Sequence, residues 1–563
     1  MLMIGIDVGG TNTDAALLSE DKHVLATAKV PTNHQDPLTS THTVLEKILA
    51  DVSNNQPVQL HLSTTLSTNA IIEGKGEPTA VIAIPGPGIN LANYGFDFPV
   101  YTVQGYIDHR GRLVRDVDKE EVLAAAKKAK VNGAQSLAVV SKFSPRNSQL
   151  ETGVRDIILE SGPEFHQITL GHKLSGSLNF PRRIMSAYLN TRVASQQIEF
   201  VKMLKAVIAS YPNITDVRIL KADGGTMTLD DSCVKPIETI LSGPAASLNA
   251  ALALSQYTQD NVVVVDIGGT TTDIAVVVGG KALYQRGGAV IGNYHTLVPA
   301  LLTCSIGLGG DSEIHFINNQ IEIGPKRAGM AICCGGEQLT PTDAAVALEL
   351  TRLGDRSRAI AALEQIAYKF SLTWKELAQL IINAFTQQLS QAIDCLYHKL
   401  EQVPVYTVSE ILAPPDIRPR VMVGLGGPAP VFIPLTAKRL GLPWEILPEH
   451  ESANGIGAAA ACSTVAITLH VDTEQELMVI PELGYKEQLC QKMLIDQPWV
   501  RKTAVEKLTA YASQIGLNDC GDVQIVEEEA FNIVRGFNTT GRIFNIRAQI
   551  RPGVYRVAGD SNC

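Results

Sequence analysis

One eight-residue phrase stands twice in this chain, as Asp7-Val8-Gly9-Gly10-Thr11-Asn12-Thr13-Asp14 and as Asp266-Ile267-Gly268-Gly269-Thr270-Thr271-Thr272-Asp273. Apolar runs flank each copy: Leu2–Val8 and Ala15–Leu18 around the first, Val262–Val265 and Ile274–Val278 around the second. That order spells strand, tight turn, strand. The paired glycines permit positive φ and let backbone N–H groups approach a ligand with no Cβ in the way. Threonine hydroxyls and those N–H groups donate to phosphate oxygens. The leading Asp is unsuited to touching phosphate, but it can hold a magnesium ion through the ion's water shell. A lone hairpin of this kind often serves only structure. Two copies describe two similar lobes that grip the outer phosphates of one nucleotide from opposite sides of a cleft.

At 563 residues the chain can bury more than one core, and 45% apolar with 18% charged residues is a globular composition. A formal charge of -10 without a compensating basic cluster argues against a nucleic-acid or anionic-membrane surface as the main partner. The nine cysteines are scattered, with no C-x-x-C pair and only Cys333-Cys334 adjacent, which reads as a reduced, cytoplasmic protein. No signal-peptide pattern opens the sequence, and the Ala-rich run near Gly455–Ile467 is too short to span a bilayer.

Strand and helix signals alternate along the chain. Strands are expected at Thr79–Ile84, Ser136–Val140, Val217–Leu220 and Val421–Gly424. Helices are expected around Leu45–Leu49, Val122–Ala129, Leu372–Leu400 and Val505–Ile515, and over Ile184–Ile208 with one apolar face. Pro85-Gly86-Pro87-Gly88 breaks the chain into a loop, and Phe531–Ile550 reads as a terminal hairpin. Such alternation predicts an α/β fold.

With the doubled hairpin in place, three further landmarks follow in order. Leu241-Ser242-Gly243-Pro244-Ala245-Ala246-Ser247 and Asn454-Gly455-Ile456-Gly457-Ala458-Ala459-Ala460 have the small residues that let two helices cross closely, and Val421-Met422-Val423-Gly424-Leu425-Gly426-Gly427-Pro428-Ala429 lies between them. The set resembles the actin, sugar-kinase and heat-shock-chaperone ATPase superfamily, with its two phosphate hairpins, two connecting helices and adenosine motif. A loose dinucleotide fingerprint at Gly424-x-Gly426-x-x-Ala429 suits this sequence poorly, because of Pro428 and Pro430, and no P-loop is present. Within the superfamily, four segments resemble the hydantoinase/oxoprolinase A-subunit family: Ser63–Glu73 with Lys75-Gly76, Gly307–Ser312, Gly324–Gly329 and Pro341–Ala344. The resemblance covers roughly residues 1–465.

What the resemblance implies is a two-lobed actin-like ATPase of duplicated ribonuclease H-like lobes, with α/β insertions and a C-terminal extension. The expected divisions are 1–180, 181–465 and 466–563. The implied activity is ATP- and Mg-dependent hydrolysis of a small cyclic amide, a lactam or hydantoin, with a B-type hydantoinase subunit as partner. Asp7 and Asp266 are the metal candidates, with Asp273 placed to orient the metal's waters. Gly9, Gly10, Thr11, Thr13, Gly268, Gly269, Thr270 and Thr271 would cradle phosphates, and Gly426 and Gly427 would pass beneath the adenosine. Turn capping is the competing role for Asp14 and Asp273, an Asx turn for Asp223, and a helix cap for Asp311, where the family pattern has another Gly. Cys304 is either a nucleophile or a small buried hydrophobe. The sequence departs from the family where an Asp-x-His group is usual, reading Leu302-Thr303-Cys304, and at Leu62-Ser63, where a family His is displaced to His61. These departures keep two other readings open: a small-molecule kinase or ATP-dependent carboxylase subunit, and a non-enzymatic ATP-driven switch. A homo-oligomer also stays open.

Overall fold

The computed structural model describes residues 1–33, 37–53, 55–317, 320–402, 416–489, 495–517 and 522–557. The first phrase forms the hairpin of strands Leu2–Val8 and Asn12–Leu18, with Asp7 opposite Asp14. The second forms Val262–Ile267 and Thr272–Val278, with Asp266 opposite Asp273. A parallel strand flanks each hairpin's first strand: Val58–Thr64 pairs Ser63 with Asp7, and Val421–Leu425 pairs Leu425 with Asp266. The two hairpins therefore sit in like sheets of like local topology, and the chain has the two-lobed actin-like α/β fold.

Each sheet is hydrophobic because it is buried on both faces. Ile4, Ile6, Leu60 and Leu62 are fully enclosed in the first lobe, and Val263, Val265, Ile274 and Val276 in the second. In the second lobe, the helix Trp374–Glu401 packs Phe385 face to face on Phe432, with ring centroids 3.8 Å apart. It is one continuous helix, started by the reciprocal capping box of Thr373 and Glu376.

The first sheet extends past the expected division at residue 180. Its order ends with Ile214–Leu220, parallel to Val58–Thr64, and then Thr226–Thr228. A separate four-stranded sheet built from Thr79–Ile84, Val100–Thr102, Ser136–Ser141 and Ile168–Leu170 is inserted between. The helix Phe180–Ile208 joins these two bodies, and for that reason it lacks the single apolar face expected of it. Phe180, Ile184 and Tyr188 pack with Val81 and Ala138 of the inserted sheet, whereas Phe200, Val201 and Leu204 pack with Leu60 of the first lobe. A helix that serves two cores is apolar on more than one side.

The carboxyl-terminal extension is a five-stranded antiparallel sheet covered by the helix Gln497–Gln514, and its edge is the long hairpin Val523–Arg535 and Asn538–Ile550. Arg110 of the inserted region fastens to it: the guanidinium donates to both oxygens of Asp472 at 2.7–3.0 Å, and Gln475 returns a bond to the Arg110 carbonyl at 2.7 Å. Among the described residues, no helix is long and apolar enough to cross a membrane.

The lobes meet where the helices Ser242–Leu254 and Ala453–Ala460 cross, and the small residues there are required by distance. A Cβ at Gly457 would lie 2.0 Å from the Ala246 carbonyl oxygen, and one at Gly5 would lie 2.0 Å from the Gly455 carbonyl oxygen. In both cases the obstacle is backbone, which cannot swing aside. Gly457→Ala is therefore expected to lower unfolding stability by about 1–3 kcal/mol or more, as measured by the urea midpoint. An unchanged midpoint would show that the helices do not cross this closely.

Candidate functional site

The helix crossing brings the two hairpins' leading carboxylates to a common partner. Asn454, in the first turn of Ala453–Ala460, donates through one Nδ2 to Asp7 Oδ2 at 3.3 Å and to Asp266 Oδ2 at 3.1 Å. The Ser247 hydroxyl, on the other crossing helix, donates to the same Asp266 oxygen at 2.7 Å. These donors leave several acceptors unused: Asp7 Oδ1, Asp273 Oδ1 and Asn454 Oδ1 are buried without a hydrogen-bond partner. Buried oxygens of this kind need protons, water or a cation.

The carboxyl groups respond as repelling neighbours do. Burial, reinforced by the nearby Asp266 carboxylate, pushes Asp7 above its ordinary range. Asp273 is pushed up to about 7 by burial and by Asp266. Asp14 also rises to about 7, because burial outweighs its 2.7 Å ion pair with Lys29. The four carboxyl groups lack sufficient countercharge, and a bound cation would supply it. Among the described residues, no three His, Cys, Asp or Glu side chains are grouped closely enough to hold a metal ion directly. That donor set suits a hydrated ion held through its waters better than a dehydrated one.

The glycine turns project from this cluster. Gly10 is exposed at the tip of the first hairpin and Thr11 is half-buried, while Gly269 and Thr270 are half-buried and Thr271 exposed at the second. The Gly9 and Gly268 N–H groups close their own turns, onto Asn12 and Thr271 carbonyls at 3.1 and 2.9 Å. Thr13 differs from the expectation. It is fully buried in its strand, and its hydroxyl exchanges a 3.0 Å bond with Thr32, so it shapes the turn from behind. Gly426 adopts φ 92°, and a Cβ there would stand 2.7 Å from Asp266 Oδ1, so the adenosine-motif turn runs against the carboxylate cluster. Gly427 has open space beside it.

The Gly-rich run after the second hairpin acts as its brace. Gly310 and Asp311 N–H groups donate to Gly268 and Gly269 carbonyls at 3.0 and 2.7 Å, and Thr342 Oγ1 donates to the Gly310 carbonyl at 2.8 Å. Asp311 caps no helix, contrary to expectation; it pairs with Arg327 at 3.0 Å, and its own carboxylate lies where a Gly269 side chain would be. Asp343 caps the helix Pro341–Ala347 and receives the Ile332 and Cys333 N–H groups. Cys304 lies on the strand Thr303–Ile306 beside Ile274, packed against the second-lobe core with its thiol pushed up by burial, which fits a small hydrophobe. His61 is buried against the Ala458 carbonyl at 2.9 Å and pushed down to about 4 by burial, so it is a neutral interlobe spacer.

Asn454 reads in the sequence only as part of a packing helix, and Ser247 carries no signal of its contact with Asp266. A polar amide opening an otherwise Gly/Ala helix was the available signal.

Comparison with known proteins places the chain. The profile described as Hydantoinase/oxoprolinase matches residues 183–466, and the one described as Hydantoinase/oxoprolinase N-terminal region matches residues 3–162. The chain belongs to the hydantoinase/oxoprolinase family. It is 24% identical over 379 residues to the caprolactamase subunit alpha of Pseudomonas jessenii, covering 61% of this chain and 54% of that protein. It is 26% identical over 482 residues to the acetophenone carboxylase gamma subunit of Aromatoleum aromaticum, covering 76% and 65%. The chain thus spans less than two thirds of the length of either relative. The crystal structure of ATP-dependent caprolactamase from Pseudomonas jessenii shares the fold at TM-score 0.72 and 18% identity, over 100% of this chain and 90% of that one. Nucleotide-free acetone carboxylase does so at TM-score 0.71 and 18% identity, over 98% and 87%.

The raised carboxyls make a pH prediction. A carboxyl that holds its proton more tightly folded than unfolded stabilises the fold fully below its unfolded pKa, near 4, and loses that contribution as pH rises through about 7. In chelator, urea stability should fall across that window, and Asp273→Asn should flatten the fall by on the order of 2–4 kcal/mol. Superimposable wild-type and variant profiles would show that Asp273 titrates like a free carboxyl.

Proposed function

We propose that this chain is the ATP- and Mg-dependent activating component of a cyclic amide hydrolase. The observation that carries the reading is the single Asn454 amide bridging Asp7 and Asp266, one carboxylate from each lobe's hairpin. Lobe closure assembles a shared anionic floor between two glycine turns, and this is where a nucleotide's metal-bound phosphates fit. Asp7, Asp266 and Asp273 would hold the magnesium through its waters. Bound there, magnesium neutralises phosphate charge. The Gly9-Gly10-Thr11 and Gly268-Gly269-Thr270-Thr271 turns supply donors, and Gly426-Gly427 leaves room for the adenosine. Ser247 and Asn454 fix the orientation of Asp266.

The chemistry follows from the weakness of an amide carbonyl as an electrophile. Transfer of the γ-phosphoryl group of ATP to the amide oxygen releases ADP, makes that oxygen part of a phosphate leaving group and leaves the carbon open to attack by water. Addition of one water to the carbon and cleavage of the C–N bond then open the ring to an acyl phosphate, and a second water hydrolyses that acyl phosphate to the carboxylate and free phosphate. A B-type subunit would complete the second stage, in keeping with relatives named as subunits. A second reading is an ATP-dependent carboxylase component. The acetophenone carboxylase gamma subunit favours it by aligning with more of this chain, 76%, than the caprolactamase subunit does. Leu302 and Cys304, at the position of the usual Asp-x-His group, are partly buried and pack against the second-lobe core.

Calorimetry with Mg and a non-hydrolysable ATP analogue should show binding that weakens at least about hundredfold in Asp7→Ala and in Asp266→Ala, the scale of a lost charge-assisted contact. Intact binding in both variants would remove the two-hairpin site. Phosphate release from ATP stimulated by hydantoins or lactams in the presence of the partner subunit supports the hydrolase, whereas stimulation only by a ketone with bicarbonate supports the carboxylase.

A further inference from the structure

A cavity of about 820 Å³ among the described residues does not include the carboxylate cluster. It opens between the first-lobe sheet, the inserted region and the carboxyl-terminal sheet, and its size suits a small organic ligand. Its floor lies on the same sheet edge as Asp7. Asp7 pairs with Ser63, and the strand Ile214–Leu220 runs parallel beyond Val58–Thr64, so Lys221 and Asp223 emerge at the carboxyl ends of the same parallel strands, two strands along. Open α/β sheets bind ligands at that edge.

The wall is a polar structure built at depth. Lys221 and Asp223 are both buried and pair at 3.1 Å. Asp223 also closes an Asx turn with the Gly225 N–H at 3.0 Å and receives Thr464 Oγ1 at 3.1 Å. The Asx turn expected of Asp223 is therefore present. The acidic groups of the wall have partners of this kind, from Lys221 on Asp223 to Arg547 on Glu527. Two guanidinium groups are less well served. Arg218, 6% exposed, uses Nε on Asp216 at 2.8 Å and leaves Nη1 buried without an acceptor. Arg146 leaves Nε buried without an acceptor, and it stands close enough to His470 to help hold that imidazole neutral, with burial the larger cause. His470 engages Asn545 through Nδ1 at 2.7 Å.

We infer that this cavity is a second ligand site, taking a small carboxylate whose charge Arg146 and Arg218 receive. Guanidinium forks match a carboxylate in shape as well as in charge, and each buried N–H that lacks an acceptor has a reason to bind one. The inference does not rest on the nucleotide reading. The site shares none of the residues assigned to magnesium, phosphate or adenosine.

Calorimetry on the full chain, using acetate, glutarate and benzoate against glutaramide, the uncharged analogue of glutarate, tests it. At least one carboxylate should bind, glutaramide should not, and Arg146→Gln should weaken binding at least about tenfold. Arg146→Lys should recover part of it, and Asp7→Asn, which alters only the nucleotide cleft, should leave it unchanged. Inorganic phosphate separates the sources of the anion: carboxylate binding that phosphate does not displace supports the assignment. Absence of heat with all three carboxylates, equal affinity in Arg146→Gln, equal binding of glutaramide, or displacement by phosphate at equal concentration would overturn it. Retained cooperative thermal unfolding of Arg146→Gln distinguishes a lost site from a lost fold.

Discussion

The close approach of two short helices holds the rest of this molecule in place. Gly457 lies on the backbone of Ser242–Leu254, and Gly5 lies on the backbone of Ala453–Ala460, with no room for a side chain at either point. That contact joins the sheet of one lobe to the helices that belong to both. It also fixes Asn454, whose amide reaches Asp7 on one side and Asp266 on the other. A larger residue at the crossing would separate two carboxylates that repel each other and are held together only by the frame around them. Packing energy therefore keeps like charges close, and the charges in turn create a demand for a cation.

Shielding from water accounts for much of the site's electrostatics. Asp7, Asp14 and Asp273 sit above their ordinary pKa because burial removes hydration faster than neighbouring donors replace it. Hydroxyl and amide donors, from Asn454 to Asp7 and from Ser247 and Asn454 to Asp266, orient the carboxylates without neutralising them. An arginine in their place would satisfy the charge and leave nothing for a metal to do. The contrast with Arg110 and Asp472 is instructive. There a bidentate ion pair settles the charge within the protein and serves only to fasten the inserted region to the carboxyl-terminal sheet.

Much of this was readable in one dimension. The strand–turn–strand pattern of both hairpins follows from apolar alternation and paired glycine, and it placed Asp7 and Asp266 at strand ends. The spacing of Leu, Ile and Ala marked helix over Leu372–Leu400, where the structure forms Trp374–Glu401. Local signals failed where a residue answers to distant partners. Thr13 carries the same letter as Thr11 but lies within the strand, fully buried and bonded to Thr32, whereas Thr11 stays in the turn. Asp311 resembled a cap because its charge partner, Arg327, is brought to it by strand pairing between Ser312–Ile317 and Gln320–Arg327. The boundary at residue 180 missed the return of Ile214–Leu220 to the first sheet, because strand order is not written in any local pattern.

The sequence by itself determined that the chain has two like lobes, that each carries an acidic glycine turn, and that small residues line the helices between them. These are properties of short segments, set by backbone freedom and by the period of apolar residues. The tertiary structure decided which oxygens share a donor, which remain without one, and where the cavity between three sheets lies. Asn454 is separated from Asp7 by 447 positions and from Asp266 by 188, yet one nitrogen serves both. Charge and hydration act through space, so their outcome depends on how the backbone returns on itself and not on the order of residues along it.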